Sequence, residues 1–174
     1  PEDPTCPFFE EVKDREIPLL TREDQKEGRE ARMVRVEDAV SNGMVPNEWI
    51  AFFLAKEFEF YEKLGIPADC LRFRHMLPEE TPHYSKGNFD LEIKFDFGWK
   101  EVVGNAYRTD YDLRRHSEFS KKDLSVDVDG KKIIPHVVEP SFGIDRTVLA
   151  ILLFSFREKG YDRDWDWFKV PNFL

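Results

Sequence analysis

The sequence predicts an α+β domain in which an antiparallel β-sheet carries its helices on one face, and three features support this. Phe89, Leu91, Ile93, Phe95 and Phe97 alternate with Asp90, Glu92, Lys94 and Asp96, the period of a strand with one face buried. Gly98 then turns the chain into a partner strand over residues 99–103. A second hairpin is marked by Asp129-Gly130, a dipeptide suited to a tight turn, between residues 124–128 and 132–134. Strands also come in blocks separated by helical stretches, which favours antiparallel pairing over a parallel α/β arrangement.

Each element has a local reason. Three prolines among residues 1–7 predict an extended entry. Thr21 followed by acidic residues reads as an N-cap and first turn, with Gly28 as the stop of a short peripheral helix. Residues 36–40 run into the turn Ser41-Asn42-Gly43. The strongest helix opens at Pro46-Asn47-Glu48, places Trp49, Phe52, Phe53, Phe60 and Leu64 at helical steps, and closes at Gly65 with Pro67 behind. Those aromatics read as core. Residues 71–77 alternate apolar and basic, as a half-buried strand does. Residues 144–159 predict a final helix ended by Gly160. One domain is expected over 1–174, its first 68 residues mostly helical and peripheral, residues 69–174 holding the sheet and last helix.

Composition narrows the classes of function. The 174 residues include 26 Lys plus Arg against 35 Asp plus Glu, a formal net charge of −9, so the footprint of a general nucleic-acid binder is missing. The cluster Arg114, Arg115, His116, Lys121 and Lys122 reads as a solvated surface. Cys6 and Cys70 lack the spacing of a zinc site or a disulfide framework, and a reducing, cytoplasmic setting is the expectation. The longest apolar run, 148–156, is too short to span a membrane. A first residue that is proline predicts a piece of something longer.

The segment Glu139-Pro140-Ser141-Phe142-Gly143-Ile144-Asp145-Arg146 carries the most chemistry. Gly143 permits close backbone approach, a helix start presents unpaired N–H groups, and a guanidinium adds planar positive charge, a combination suited to a nucleotide phosphate. Glu101, flanked by Val102 and Val103, and Glu139, at the end of another strand, place two carboxylates on a sheet. These can grip an ammonium group or hold magnesium. Pairing of Glu101 with Arg108, backbone capping by Glu139, or a buried network of Glu101, Glu139 and Arg146 are structural alternatives.

The octet resembles the third signature motif of class II aminoacyl-tRNA synthetases in the glycyl-tRNA synthetase form, archaeal and eukaryotic type. Residues 99–113 resemble the strand and loop ahead of it, and residues 77–84 a segment ending in His83-Tyr84, with Pro82 where the family has alanine. The resemblance runs from about residue 13 to 156. It implies part of the class II catalytic core, and a glycine–tRNA ligase that forms glycyl-adenylate from ATP and passes glycine to tRNA(Gly). It further implies that Glu139, Ser141 and Gly143 bind glycine, and that Glu101, Val102, Gly143, Ile144, Asp145 and Arg146 bind ATP. Arg146 and Glu101 would serve catalysis and Glu101 a Mg2+ ion. The family's first two motifs and its anticodon-binding domain have no counterpart in this sequence, so the resemblance implies a fragment inactive alone, with a homodimer for the full-length enzyme. The family often has an acid where Tyr107 stands. The alternative reading is a synthetase-like ATP- and amino-acid-binding module, accessory or regulatory, without ligase activity.

Overall fold

The computed structural model describes residues 5–81, 85–160 and 162–169. In chain order the elements are β1 (Glu16–Leu20), α1 (Arg22–Lys26), β2 (Arg32–Arg35), α2 (Val36–Ser41), α3 (Glu48–Lys63), β3 (Leu71–His75), β4 (Asn88–Phe95), β5 (Gly98–Thr109), α4 (Tyr111–Ser120), β6 (Val126–Val128), β7 (Lys131–Ile133), β8 (Val137–Phe142), α5 (Ile144–Ser155), β9 (Phe156–Arg157) and β10 (Trp167–Phe168). Six strands form the main sheet in the order β2-β1-β3-β4-β5-β8. All pairs are antiparallel except β1 with β3. The mostly antiparallel α+β architecture read from the sequence is the one observed.

Pairing partners in a sheet share a face. Phe73, Phe89, Leu91, Ile93 and Val103 lie on one face and are fully buried. Against it pack α3, through Ile50, Ala51, Leu54, Ala55, Phe58 and Tyr61, and α5, through Ala150. Tyr61 Oη and Thr147 Oγ1, 2.7 Å apart, tie the two helices together. The opposite face carries the charges.

Several boundaries differ from those read in the sequence. The buried stripe of α3 is displaced from the expected one: Trp49, Phe52 and Phe53 are only partly buried and Phe60 is exposed. The buried stripe runs through Ile50, Ala51, Leu54, Ala55, Phe58 and Tyr61, and the rings of Trp49, Phe52 and Phe53 lie beside it. The helix start is as expected, with the Asn47 side chain accepting from Ile50 N–H. Strands β1 and β2 went unrecognised because Pro18 interrupts β1 and because β2 has a single buried residue, Val34. They extend the sheet shared with residues 69–174. Thr21 forms a complete capping box with Asp24. Helix α5 ends at Ser155, because the next two residues pair with Trp167 and Phe168, and Gly160 serves that hairpin at φ +93°. Strand β8 runs through Phe142, so Glu139 lies mid-strand. The Asp129-Gly130 hairpin is present, both residues at positive φ, as an exposed ribbon separate from the main sheet. Both cysteines are free thiols. Among the described residues no helix is long and apolar enough to cross a membrane.

Candidate functional site

The open face of the sheet is built by strand register. Gly104 pairs with Ser141 and Ala106 with Glu139, so Ser141 and Glu139 project from β8 on the side of Gly104 and Ala106. Simple alternation would send Glu101 to the helix face with Val103. A bulge prevents this: Leu91 pairs with Val103 but Glu92 with Glu101, which leaves Val102 as the extra residue. Glu101 is thereby turned onto the open face, where its Oε1 lies 3.3 Å from the place a Cβ on Gly104 would occupy. A side chain at Gly104 would crowd that carboxylate.

Arg146 arrives from the first turn of α5. Its Nη1 donates to the Glu101 carbonyl at 2.7 Å and lies 3.9 Å from the Glu101 carboxylate. The helix start is fixed to β5 by Gly143 N–H donating to Val102 O at 2.7 Å, with Gly143 as N-cap. A Cβ on Gly143 would sit 3.2 Å from that same oxygen. The side chains of Arg146 and Glu101 are 58% and 51% exposed, so they do not form a buried ion-pair network. Ile144 and Asp145 lie exposed at the same helix start.

Arg108 is bound differently from the alternative left open by the sequence. Its Nη1 donates to Glu139 Oε2 at 2.6 Å, while Nε and Nη2 grip the Asp112 carboxylate. Glu101 is not among these partners. The Asp112 hydrogen bond, with the Glu139 charge, raises the guanidinium above an ordinary arginine, and Arg108 in turn lowers Asp112.

Beside Glu101 the face continues into a layer of paired charges. Arg72 Nε donates to Glu92 at 2.7 Å, and Arg74 divides its donors among Glu80, Asp90 and Glu92 at 2.8, 3.1 and 3.3 Å. Asp90 is 7% exposed, and burial, followed by the Glu101 charge, pushes its carboxyl up to about 6. Asp90, Glu92 and Arg74 are not among the site residues expected from the sequence. Their signal was present, since the alternation in β3 and β4 sets Arg72 and Arg74 on the polar side together with Asp90 and Glu92.

Tyr107 lies on the other face. It pairs with Val138, and its hydroxyl meets His136 Nδ1 at 2.6 Å. The phenol therefore does not enter the patch of Glu101, Glu139 and Arg146. A cavity of about 650 Å³ adjoins it, lined by Trp49, Phe53, Tyr107 and His136 among others and by none of the predicted site residues. His83 and Tyr84, with Pro82, lie outside the described residues.

Comparison with known proteins adds the decisive observation. The sequence is 30% identical to the glycine–tRNA ligase of Aeropyrum pernix over an alignment covering 91% of this chain and 40% of that protein. It is 39% identical to the Pyrococcus horikoshii ligase across 79% of this chain and 25% of that one. The chain is homologous to glycine–tRNA ligases. A bacterial relative from Mycoplasmopsis synoviae is 43% identical over 66% of this chain and 26% of its own length. No protein-family model matches the sequence. The chain thus spans two fifths or less of these ligases. The Aeropyrum alignment is 235 positions long against 174 residues here, so that protein also carries internal residues without a counterpart in this chain.

Proposed function

We propose that this chain forms the sheet face on which a glycine–tRNA ligase holds ATP and glycine for adenylate formation. The observation that carries the reading is the register that turns Glu101, Glu139 and Ser141 to one face and brings Arg146 beside Glu101, in a chain homologous to enzymes of that name. Glu139 and Ser141 bind the ammonium group and carboxylate end of glycine, over a floor of Gly104 and Ala106 that offers little bulk. Gly143, Ile144, Asp145 and Arg146, with Glu101 and Val102, bind ATP. The exposed guanidinium supplies positive charge and a planar surface to the nucleotide. Such a site works by holding the glycine carboxylate in line with the α-phosphorus and by stabilising the charge that develops there. Transfer of glycine to tRNA(Gly), a homodimer and a cytoplasmic setting belong to the same proposal for the full-length protein.

Magnesium fits this site in one form. Among the described residues no three His, Cys, Asp or Glu side chains are grouped to hold a metal, whereas Mg2+ is commonly held by one or two carboxylates together with substrate phosphates. Glu101 is the carboxylate placed for such a shared ion, which would neutralise phosphate charge.

Glycine-dependent ATP–pyrophosphate exchange by the full-length protein tests the proposal. Arg146→Ala is expected to reduce exchange by about a hundredfold or more, while the unfolding midpoint stays within a few degrees because the side chain is exposed. Exchange independent of glycine, or unaffected by the substitution, would refute it.

A further inference from the structure

We propose that Arg108 is a positioning residue that fixes Glu139 for glycine, an inference that rests on the function proposed above. Glu139 stands mid-strand on β8 with its side chain 44% exposed, and a glutamate so placed has rotamer freedom that would blur the position of its charge. Arg108 removes that freedom at one oxygen, Oε2, by a 2.6 Å hydrogen bond. The other oxygen is left for a ligand. Arg108 is itself held on its remaining edge by Asp112 in the first turn of α4, so a planar fork is pinned on one side and presents its other side to Glu139.

The backbone carries an independent sign of the same device. Between β5 and β8 the register slips, Tyr107 pairing with Val138 and Thr109 with Val137, which makes Arg108 the bulged residue. Thr109 sits at φ +55°, left-handed backbone that a β-branched residue rarely adopts. Bulges and strained backbone of this kind gather at functional sites. Alternation sets Arg108 on the open face with Gly104 and Ala106, and the slip and the strained threonine follow directly after it, so its guanidinium stands where regular pairing of β5 ends, against the Glu139 carboxylate.

Steady-state pyrophosphate exchange by the full-length protein, with glycine and ATP varied separately, tests this. Arg108→Met is expected to raise the glycine KM at least tenfold with the ATP KM within twofold, and Arg108→Lys to recover part of the loss. Asp112→Asn, which loosens α4 but leaves the Arg108–Glu139 contact, is expected to raise the glycine KM no more than about threefold. An unchanged glycine KM in Arg108→Met overturns the inference. Parallel rises in both KM values, or an Asp112→Asn effect equal to that of Arg108→Met, would assign Arg108 to anchoring α4 and overturn it too. If Arg108→Met does not fold, the lysine and Asp112→Asn variants decide between these outcomes. Wild-type protein without glycine-dependent exchange would instead remove the functional reading on which the inference stands.

Discussion

Glu57 offers the sharpest physical test of this fold. It sits on the sheet side of α3, 3% exposed, and accepts a hydrogen bond from Asn105 Nδ2 at 2.9 Å at its Oε2. Glu57 Oε1 and Asn105 Oδ1 are both buried without a partner. A proton on Glu57 Oε1, donated to Asn105 Oδ1, would satisfy both at once and make a closed acid–amide pair. Burial accordingly pushes the carboxyl from 4.5 up to about 8, against the smaller opposing effect of the Asn105 hydrogen bond. The folded protein therefore holds a proton that the unfolded chain releases above 4.5, and stability must fall as pH rises from about 4.5 to about 8. At about 1.4 kcal/mol for each pH unit, the contribution lost by pH 7 is roughly 3 kcal/mol. Glu57→Gln keeps the shape, replaces the acid proton with an amide N–H and removes the linkage. Urea unfolding followed by circular dichroism from pH 4.5 to 8.5 is expected to show the two proteins nearly equal at the acid end. The glutamine variant should become more stable by roughly 3 kcal/mol at pH 7, and the gap should level off above pH 8. Parallel stability curves across that range would refute the buried, protonated pair.

Two further substitutions probe the backbone around the proposed site. Gly143→Ala is expected to destabilise by about 1–2 kcal/mol in urea titrations, because the new Cβ meets Val102 O at 3.2 Å and that oxygen is held by the Gly143 N–H. Thr109→Gly should stabilise by up to about 1 kcal/mol, since glycine accepts φ +55° without the side-chain clash and its greater unfolded-state freedom offsets only part of the gain. A destabilised Thr109→Gly protein would show that the threonine side chain contributes more than its strain costs.

Some of this molecule is written in local pattern and some is not. The alternation of Phe89, Leu91, Ile93 and Phe95, the turn residues Gly98 and Asp129-Gly130, and the caps at Thr21 and Asn47 act through neighbours a few residues apart and appear where the sequence places them, whereas Phe97, the last residue of the expected alternation, is exposed beyond the end of β4. The octet at 139–146 was legible as site chemistry because glycine, guanidinium and helix start are adjacent in the chain. Helix α3 was legible as a helix but not in the exact stripe it buries, since which side of the helix meets the sheet is decided by the sheet and by α5.

The sequence by itself determined the α+β class, the central hairpin, the homology and the residue types of the candidate site. Only the tertiary structure decided which way those residues face. The Val102 bulge turns Glu101 from the core to the open side, and the pairing of β5 with β8 gives Glu139 a partner, Arg108, that spacing alone did not assign to it. Tyr107 is on the helix side by plain alternation from Val103, and it is the Val102 bulge that leaves it on the face opposite Glu101. In a strand, a slip of one residue reverses the face of every side chain beyond it, and such a slip is fixed by the register of the partner strand, which for β8 lies about thirty residues further along the chain and for β4 across the hairpin.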